Sequence, residues 1–262
     1  MSTAPGAAPG LLERFRMDGK TVVITGASSG LGAGFARAFA DAGADLVLGA
    51  RRAGELEAIA DEIRTSGRTV VARVTDVTDP DACTALVQAG IDTLGRVDVL
   101  INNAGVGTAV PAVREEPDEF RRVLEVNLMG SYWMAQACAR VMEPGSSIVN
   151  VASVLGLVKS YSPQAAYSAS KAAVIGLTRD LSQQWSLRKG IRVNAVAPGY
   201  FASEMTAGAH AERLGEFVRS TATLQRFGEQ HELDAAVLFL ASDAASYVTG
   251  ATLAVDGGMS GH

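Results

Sequence analysis

The chain has 262 residues, 48% of them hydrophobic and 28 of them glycine, enough for one large α/β core or two small ones. Its 23 Lys and Arg against 28 Asp and Glu leave a net charge of -5, which argues against a nucleic-acid partner. No run of about 18 apolar residues marks a membrane span, and 2 cysteines with 3 histidines form no cluster at metal-ligand spacing, so no metal is expected.

MSTAPGAAPG, Met1 to Gly10, has no basic stretch followed by a long apolar one, so residues 1–17 are expected to be a flexible tail and not a signal peptide. KTVVITG, from Lys20, is a β-branched apolar run closed by glycine, the pattern of a buried parallel strand. Leu31, Phe35 and Phe39 then share a helix face that stops at Gly43. DLVLGARR is a second strand, and Leu56, Ile59 and Ile63 mark a second helix before Gly67. TVVARVTDV is a third strand, after which Asp79-Pro80 reads as a cap and first helical residue. RVDVLINNAG is a fourth strand, and one long helix is expected from about Asp118 to Met142. SIVNVAS, IRVNAVAPG and ATLAVDGG complete the strands. Between them come a helix through AAYSASKAAV ending near Leu187, a mixed lid at about 200–227 and a helix over HELDAAVLFLAS.

Strands alternate with helices and no linker divides them. The expected fold is α/β, a single domain over 18–262 with a mostly parallel, doubly wound sheet between two helical layers. Such sheets bind ligands beyond the carboxyl ends of their strands.

TGASSGLG places Gly26, Gly30 and Gly32 directly after the first strand. Gly26 permits a tight turn, Gly30 lets backbone approach a phosphate, and Gly32 allows close helix packing. The N–H groups opening the next helix then face a pyrophosphate. Asp76 ends the third strand and can accept from an adenine amino group, while Asn102 to Gly105 leave room for ribose and nicotinamide. The second strand ends Gly49-Ala50-Arg51-Arg52, with no carboxylate for a ribose 2′-hydroxyl. Arg51, helped by Arg52, meets a 2′-phosphate instead, favouring NADP(H) over NAD(H).

Tyr167 and Lys171, at i and i+4, stand on one helix face. A phenol with a pKa of about 10 is a poor base, but an adjacent ammonium favours its anion. The pair can therefore move a proton to or from an alcohol oxygen. Ser153, ending the fifth strand, can donate to that oxygen, and Asn127, out of place in a helix interior, can hold a water toward Lys171.

With TGASSGLG, Asp76-Val77, NNAG, Asn127, Ser153, YSASK at 167–171, APG at 197–199 and YVTGATLAVDGG on the page, the chain resembles the short-chain dehydrogenase/reductase family in its classical subgroup, over residues 18 to 260. The resemblance implies a Rossmann-type fold and hydride transfer between nicotinamide C4 and a carbon bearing OH or C=O. It implies Tyr167 as general acid/base, Lys171 lowering its pKa and binding ribose, Ser153 polarising the substrate oxygen and Asn127 anchoring a relay water. Gly26, Ser28, Ser29, Gly30, Leu31, Gly32, Arg51, Arg52, Asp76, Val77, Asn103, Ala104 and Gly105 would line the cofactor, with Pro198 and Gly199 on its far side. Ser203 stands where relatives often have Thr and keeps the hydroxyl for the carboxamide.

Val106, Val154, Leu155, Tyr161, Tyr200 and Met205 are candidate substrate contacts, largely apolar, which suits a neutral ketone or secondary alcohol. Specificities like those for 3-oxoacyl groups on acyl carrier protein or for gluconate and other polyols stay open. So, from a different class, does a non-catalytic nucleotide-binding regulator. The family's habit implies a cytoplasmic homotetramer, with a dimer as alternative, pairing the long helices that start near Asp118 and Gln164. Its partner is a small carbonyl or alcohol, with neither nucleic acid nor membrane.

Overall fold

Strands β1 (Thr21–Thr25), β2 (Asp45–Ala50), β3 (Val70–Val74), β4 (Val99–Asn102), β5 (Ser147–Val151), β6 (Arg192–Pro198) and β7 (Thr252–Val255) form one sheet in the order β3-β2-β1-β4-β5-β6-β7. Every pairing in it is parallel. The computed structural model describes residues 10–201 and 211–261. The helices are α1 (Gly30–Asp41), α2 (Ala53–Arg64), α3 (Pro80–Leu94), α4 (Pro117–Leu124), α5 (Gly130–Val141), α6 (Ala165–Lys189), α7 (Ala211–Thr221) and α8 (Gln230–Ala241). Strand order reverses between β1 and β4, which opens a crevice beyond their carboxyl ends.

Alternate residues of each central strand feed the two layers, because strand side chains switch faces with period 2. Val22, Ile24, Leu46 and Leu48 pack with Phe35 and Phe39 of α1, Leu56 of α2 and Leu233, Val237 and Leu240 of α8. Val23, Val47 and Leu100 pack on the other face with Leu86 of α3, Met134 of α5 and Leu181 of α6. Both faces being covered, β1 is buried throughout, as its unbroken apolar run requires.

Three elements depart from the sequence reading. β3 ends at Val74, short of Asp76, and exposes Arg73 and Val74 at the edge of the sheet. The long helix carries a π-helical stretch, Glu125–Met129, between α4 and α5. The end of the N-terminal segment is docked: a 3-10 turn over Leu12–Phe15 sets the Phe15 ring 6.3 Å from Phe239, and Met17 is buried in the core. Residues 1–9, and Ser203 and Met205 of the expected lid, lie outside the described residues. Among the described residues no helix is long and apolar enough to cross a membrane, and no group of three or more His, Cys, Asp or Glu could hold a metal ion.

Candidate active site

The turn between β1 and α1 has the shape that its glycines predict. Gly26 and Gly30 have φ of 67° and 52°, conformations other residues rarely adopt. A Cβ on Gly32 would collide with the Gly26 carbonyl and stand 2.5 Å from Asn103 Nδ2, so the helix can lie on the turn only with glycine there. At Gly30 the space is open. The N-cap residue of α1, Ser29, makes no side-chain cap bond, leaving the first-turn N–H groups, including those of Leu31 and Gly32, for an anion. Open space at Gly30 beside uncapped donors fits the phosphates of a dinucleotide.

Arg52, not Arg51, closes this turn. Its Nη2 donates to Ser29 Oγ at 2.5 Å and to Ser28 Oγ at 3.2 Å, whereas Arg51, equally exposed, makes no such contact. Arg52 also faces Glu55 at 3.5 Å, an exposed pair worth little. The chain thus gathers two hydroxyls and a guanidinium at the end of β2, where Ala50 is buried and no carboxylate intrudes.

Asp76 lies in the loop beyond β3, and its Oδ1 accepts from Thr78 N at 3.0 Å and Thr78 Oγ1 at 2.9 Å, holding that loop. The Val77 side chain belongs to the core, wedged against Gly130, where a Cβ would stand 2.6 Å from it. Asn103 braces the glycine turn, donating to Thr25 O at 3.0 Å and Gly26 O at 3.3 Å. Thr25 Oγ1 in turn accepts from Asn103 N and Ala104 N. Asn102 points sideways to Asn150 Oδ1, and Asn150 donates to Thr178 Oγ1. This buried polar chain across β4, β5 and α6 was not legible, since nothing in SIVNVAS marks its asparagine as paired.

Asn127 sits inside the π-helical stretch, fully buried. Its Oδ1 accepts from Val106 N at 2.8 Å, and its Nδ2 donates to Val106 O at 2.9 Å and Ser170 Oγ at 3.0 Å. An amide in a helix interior is therefore used as a brace between the loop after β4 and α6. A Cβ on Gly105 would lie 3.3 Å from Asn127 Oδ1 and 3.6 Å from Lys171 Nζ, so glycine keeps open a space that both polar atoms border. Ser170, which receives the Asn127 amide, is a residue that the sequence reading passed over.

Ser153 caps a short 3-10 turn, Val154–Gly156, accepting from Leu155 N at 3.1 Å. The turn packs directly on α6: a Cβ on Gly156 would stand 2.9 Å from the Lys171 carbonyl carbon and Ala172 N. That contact holds the Ser153 turn against the helix that carries Tyr167. Lys171 is buried, donates at 2.6 Å to Val151 O, and has its Nζ 5.7 Å from the Tyr167 ring centroid.

The electrostatics correct one expectation. The Tyr167 phenol is held above its ordinary pKa by burial, which outweighs the opposing influence of the Ser153 hydroxyl. Burial also brings the Lys171 ammonium down to about 8. The ammonium stands over the ring and spends a proton on Val151, so in the protein by itself it does not make the phenol acidic.

Of the substrate candidates, Val154 and Leu155 are buried in a cluster with Val218, Ala222 and Met259. Val106 is half-buried, its backbone tied to Asn127. Tyr161 and Tyr200 flank Phe217 of α7, with ring centroids 4.9 Å and 5.9 Å away. They form an aromatic wall beside Tyr167, which packs on the same cluster. Pro198 ends β6, and Gly199 touches Asp256 so closely that a Cβ would stand 2.7 Å from its Cα. A cavity of about 210 Å³, lined by Tyr200, Phe201, Val218, Arg226 and Met259 among others, includes none of Asn127, Ser153, Tyr167 and Lys171.

A family model, adh_short_C2, described as enoyl-(acyl carrier protein) reductase, matches residues 26–260. The chain is 44% identical over 250 residues to galactitol 2-dehydrogenase (L-tagatose-forming) of Cereibacter sphaeroides, covering 93% of this chain and 96% of that one. The chain belongs to the short-chain dehydrogenase/reductase family. Among solved structures, this dehydrogenase/reductase resembles a gluconate 5-dehydrogenase from Burkholderia cenocepacia in complex with NADP and tartrate, with TM-score 0.88 and 33% identity over 97% of this chain and 100% of that one. It also resembles a 7α-hydroxysteroid dehydrogenase complexed with NADH and a 7-oxo bile acid, with TM-score 0.89 and 33% identity over 94% and 96%. It is an NAD(P)-dependent oxidoreductase acting on CH–OH and C=O groups.

Proposed function

We propose that this dehydrogenase/reductase interconverts a ketone and a secondary alcohol with NADP(H) in preference to NAD(H), using Tyr167 as general acid/base. One observation carries the reading. The loop after β4 touches the glycine turn through Asn103 at one end and borders Lys171 and Asn127 through Gly105 at the other. A dinucleotide cradle and a proton-transfer pair are thereby joined by a few residues of backbone.

Gly26, Gly30, Leu31 and Gly32 would hold the pyrophosphate, Asp76 and Val77 the adenine side, Ala104 and Gly105 the ribose and nicotinamide, and Pro198, Gly199 and Ser203 its far side. The bound dinucleotide supplies the hydride and, when oxidised, a positive charge. Tyr167 Oη gives its proton to the carbonyl oxygen during reduction and takes it back during oxidation. Ser153 holds that oxygen through its hydroxyl. Lys171 would return the proton to Tyr167, and a water in the space at Gly105, bordered by Nζ and Asn127 Oδ1, would reload Lys171 from solvent. Asn127 positions this space and touches no reacting atom.

NADP(H) is favoured because Ser28, Ser29 and Arg52 form a donor set suited to a 2′-phosphate, with Arg51 able to swing toward it. The substrate is a small carbonyl or alcohol lying against Tyr161, Tyr200 and Phe217. The assembly is a homotetramer built on the α4–α5 and α6 faces, where Leu187 is 94% exposed. Trp133 and Trp185 pack half-buried on the core. Free buried Cys83 and Cys138 suit the cytoplasm.

A panel of ketones and secondary alcohols, each run with both cofactors and followed at the reduced-cofactor absorbance, tests this reading. Turnover with a higher kcat/KM for NADPH is expected. Higher efficiency with NADH overturns the cofactor preference, and no turnover across the panel overturns the reaction.

A further inference from the structure

Gln164 precedes Tyr167 by one helical turn and occupies the N-cap position of α6, yet its side chain makes no cap bond to the helix. It is turned elsewhere. Ser160 Oγ donates to Gln164 Oε1 at 2.9 Å. The same Oγ accepts from Ser162 N at 3.3 Å, which leaves the hydroxyl proton to point at the glutamine oxygen. A carboxamide held by its oxygen presents its NH2 group on the other side. Gly107 reports what lies there. A Cβ on Gly107 would stand 3.4 Å from Tyr167 Cδ2, 3.8 Å from Tyr167 Cε2 and 3.9 Å from Gln164 Nε2. The edge of the catalytic ring and the amide nitrogen thus border one small space, over an exposed glycine that leaves it open to solvent. Among the described residues, Nε2 has no hydrogen-bond acceptor.

We infer that Gln164 is a specificity-determining residue that donates from Nε2 to a second oxygen of the substrate, a few bonds from the carbon that is oxidised or reduced. Ser160 is its positioning residue. The inference rests on the proposed function and deepens it. The favoured substrates are ketones or alcohols carrying another hydroxyl or carboxylate, presented with their carbon skeleton against the Tyr161, Tyr200 and Phe217 wall. The shared chemistry is a hydrogen-bond acceptor, and the two sources are separable. An amide donor serves both a hydroxyl and a carboxylate, whereas a glutamate at the same place repels the carboxylate and still accepts from a hydroxyl.

The test uses matched pairs on the full-length enzyme: 4-hydroxy-2-butanone against 2-butanone for a hydroxyl, and 4-oxopentanoate against 2-pentanone for a carboxylate. The readout is the ratio of kcat/KM within each pair. The wild-type enzyme is expected to favour at least one oxygenated ketone by about tenfold, the effect of one hydrogen bond. Gln164→Leu is expected to bring that ratio close to one, through KM. Ser160→Ala lowers it partway, and Gln164→Glu separates hydroxyl from carboxylate. Equal loss on both members of a pair, or an unchanged ratio in Gln164→Leu and Ser160→Ala alike, overturns the inference and leaves the proposed function standing. No turnover of any ketone in this set or the wider panel overturns both.

Discussion

Lys171 Nζ stands 5.7 Å from the centre of the Tyr167 ring while donating at 2.6 Å to the carbonyl of Val151. The ammonium is buried, and burial lowers its pKa from 10.5 to about 8. The folded protein therefore binds this proton less tightly than the unfolded chain does. Between about pH 8 and 10.5 the unfolded state holds more protons, so stability rises with pH across that window, and below it the full cost of the buried charge is present. That cost is on the order of a few kcal/mol. In Lys171→Met the rise disappears: the variant gains most relative to wild type below pH 8, and the gap narrows toward pH 10. Urea midpoints measured over this range check it, and parallel profiles for the two proteins would contradict it.

Arg52 is expected to carry more of the cofactor preference than Arg51. Removing its two hydroxyl contacts by Arg52→Ala lowers the NADPH-to-NADH ratio of kcat/KM by about 10- to 100-fold, the range for a charge-assisted hydrogen bond. Arg51→Ala, which removes neither of these contacts, gives the smaller change. Cofactor titrations of both variants settle the order, and the reverse order would show that the guanidinium on Ser28 and Ser29 is a local brace.

Gly156→Ala pushes the Ser153 turn off α6, because the new methyl meets backbone atoms of Lys171 and Ala172 at 2.9 Å. Overpacking of this kind costs about 1–3 kcal/mol. The variant is expected to melt several degrees lower and to lose kcat far more than cofactor affinity, since the glycine turn is remote from the change. A calorimetric scan with a fluorescence titration of NADPH separates the two effects.

The alternation of strand and helix was legible because buried parallel strands leave unbroken apolar runs such as Val22 to Ile24, and because Asp79-Pro80 caps α3 as its chemistry dictates. Asp79 accepts from Asp81 N at 2.9 Å. The glycine turn was legible because a positive φ at Gly26 and Gly30 leaves few alternatives. What stayed hidden depends on contacts between distant parts of the chain. Arg52 could not be chosen over Arg51 without knowing which one faces Ser29. A π-helical stretch has no composition of its own, and Asn127 looked like a poor helix former and not a brace. Gln164 resembled any polar residue at a helix start until Ser160 and Gly107 were seen around it.

Arg192 shows the same limit. At the start of β6 its guanidinium donates to the carbonyls of Leu240 at 2.8 Å, Ala241 at 3.1 Å and Ser242 at 3.0 Å, closing the C-terminal end of α8. Burial lowers its pKa, so this cation is held by carbonyl dipoles. Arg192→Met removes the guanidinium from all three carbonyls, of which Leu240 O keeps the Ser147 hydroxyl at 3.0 Å, and is expected to cost about 1–3 kcal/mol. Arg192→Lys recovers only part, because an ammonium cannot reproduce the fork. Denaturant unfolding of both variants measures the difference, and an Arg192→Met protein as stable as wild type would contradict it.

The account turns on the phenol of Tyr167, half-buried on the helix against which the Ser153 turn packs. Its most direct test is Tyr167→Phe, with turnover of a reactive ketone and NADPH affinity measured on the same preparation. Turnover is expected to fall by 100-fold or more, on the order of a lost general acid, with the dissociation constant for NADPH within a few-fold of wild type. Undiminished turnover in that variant would contradict the account.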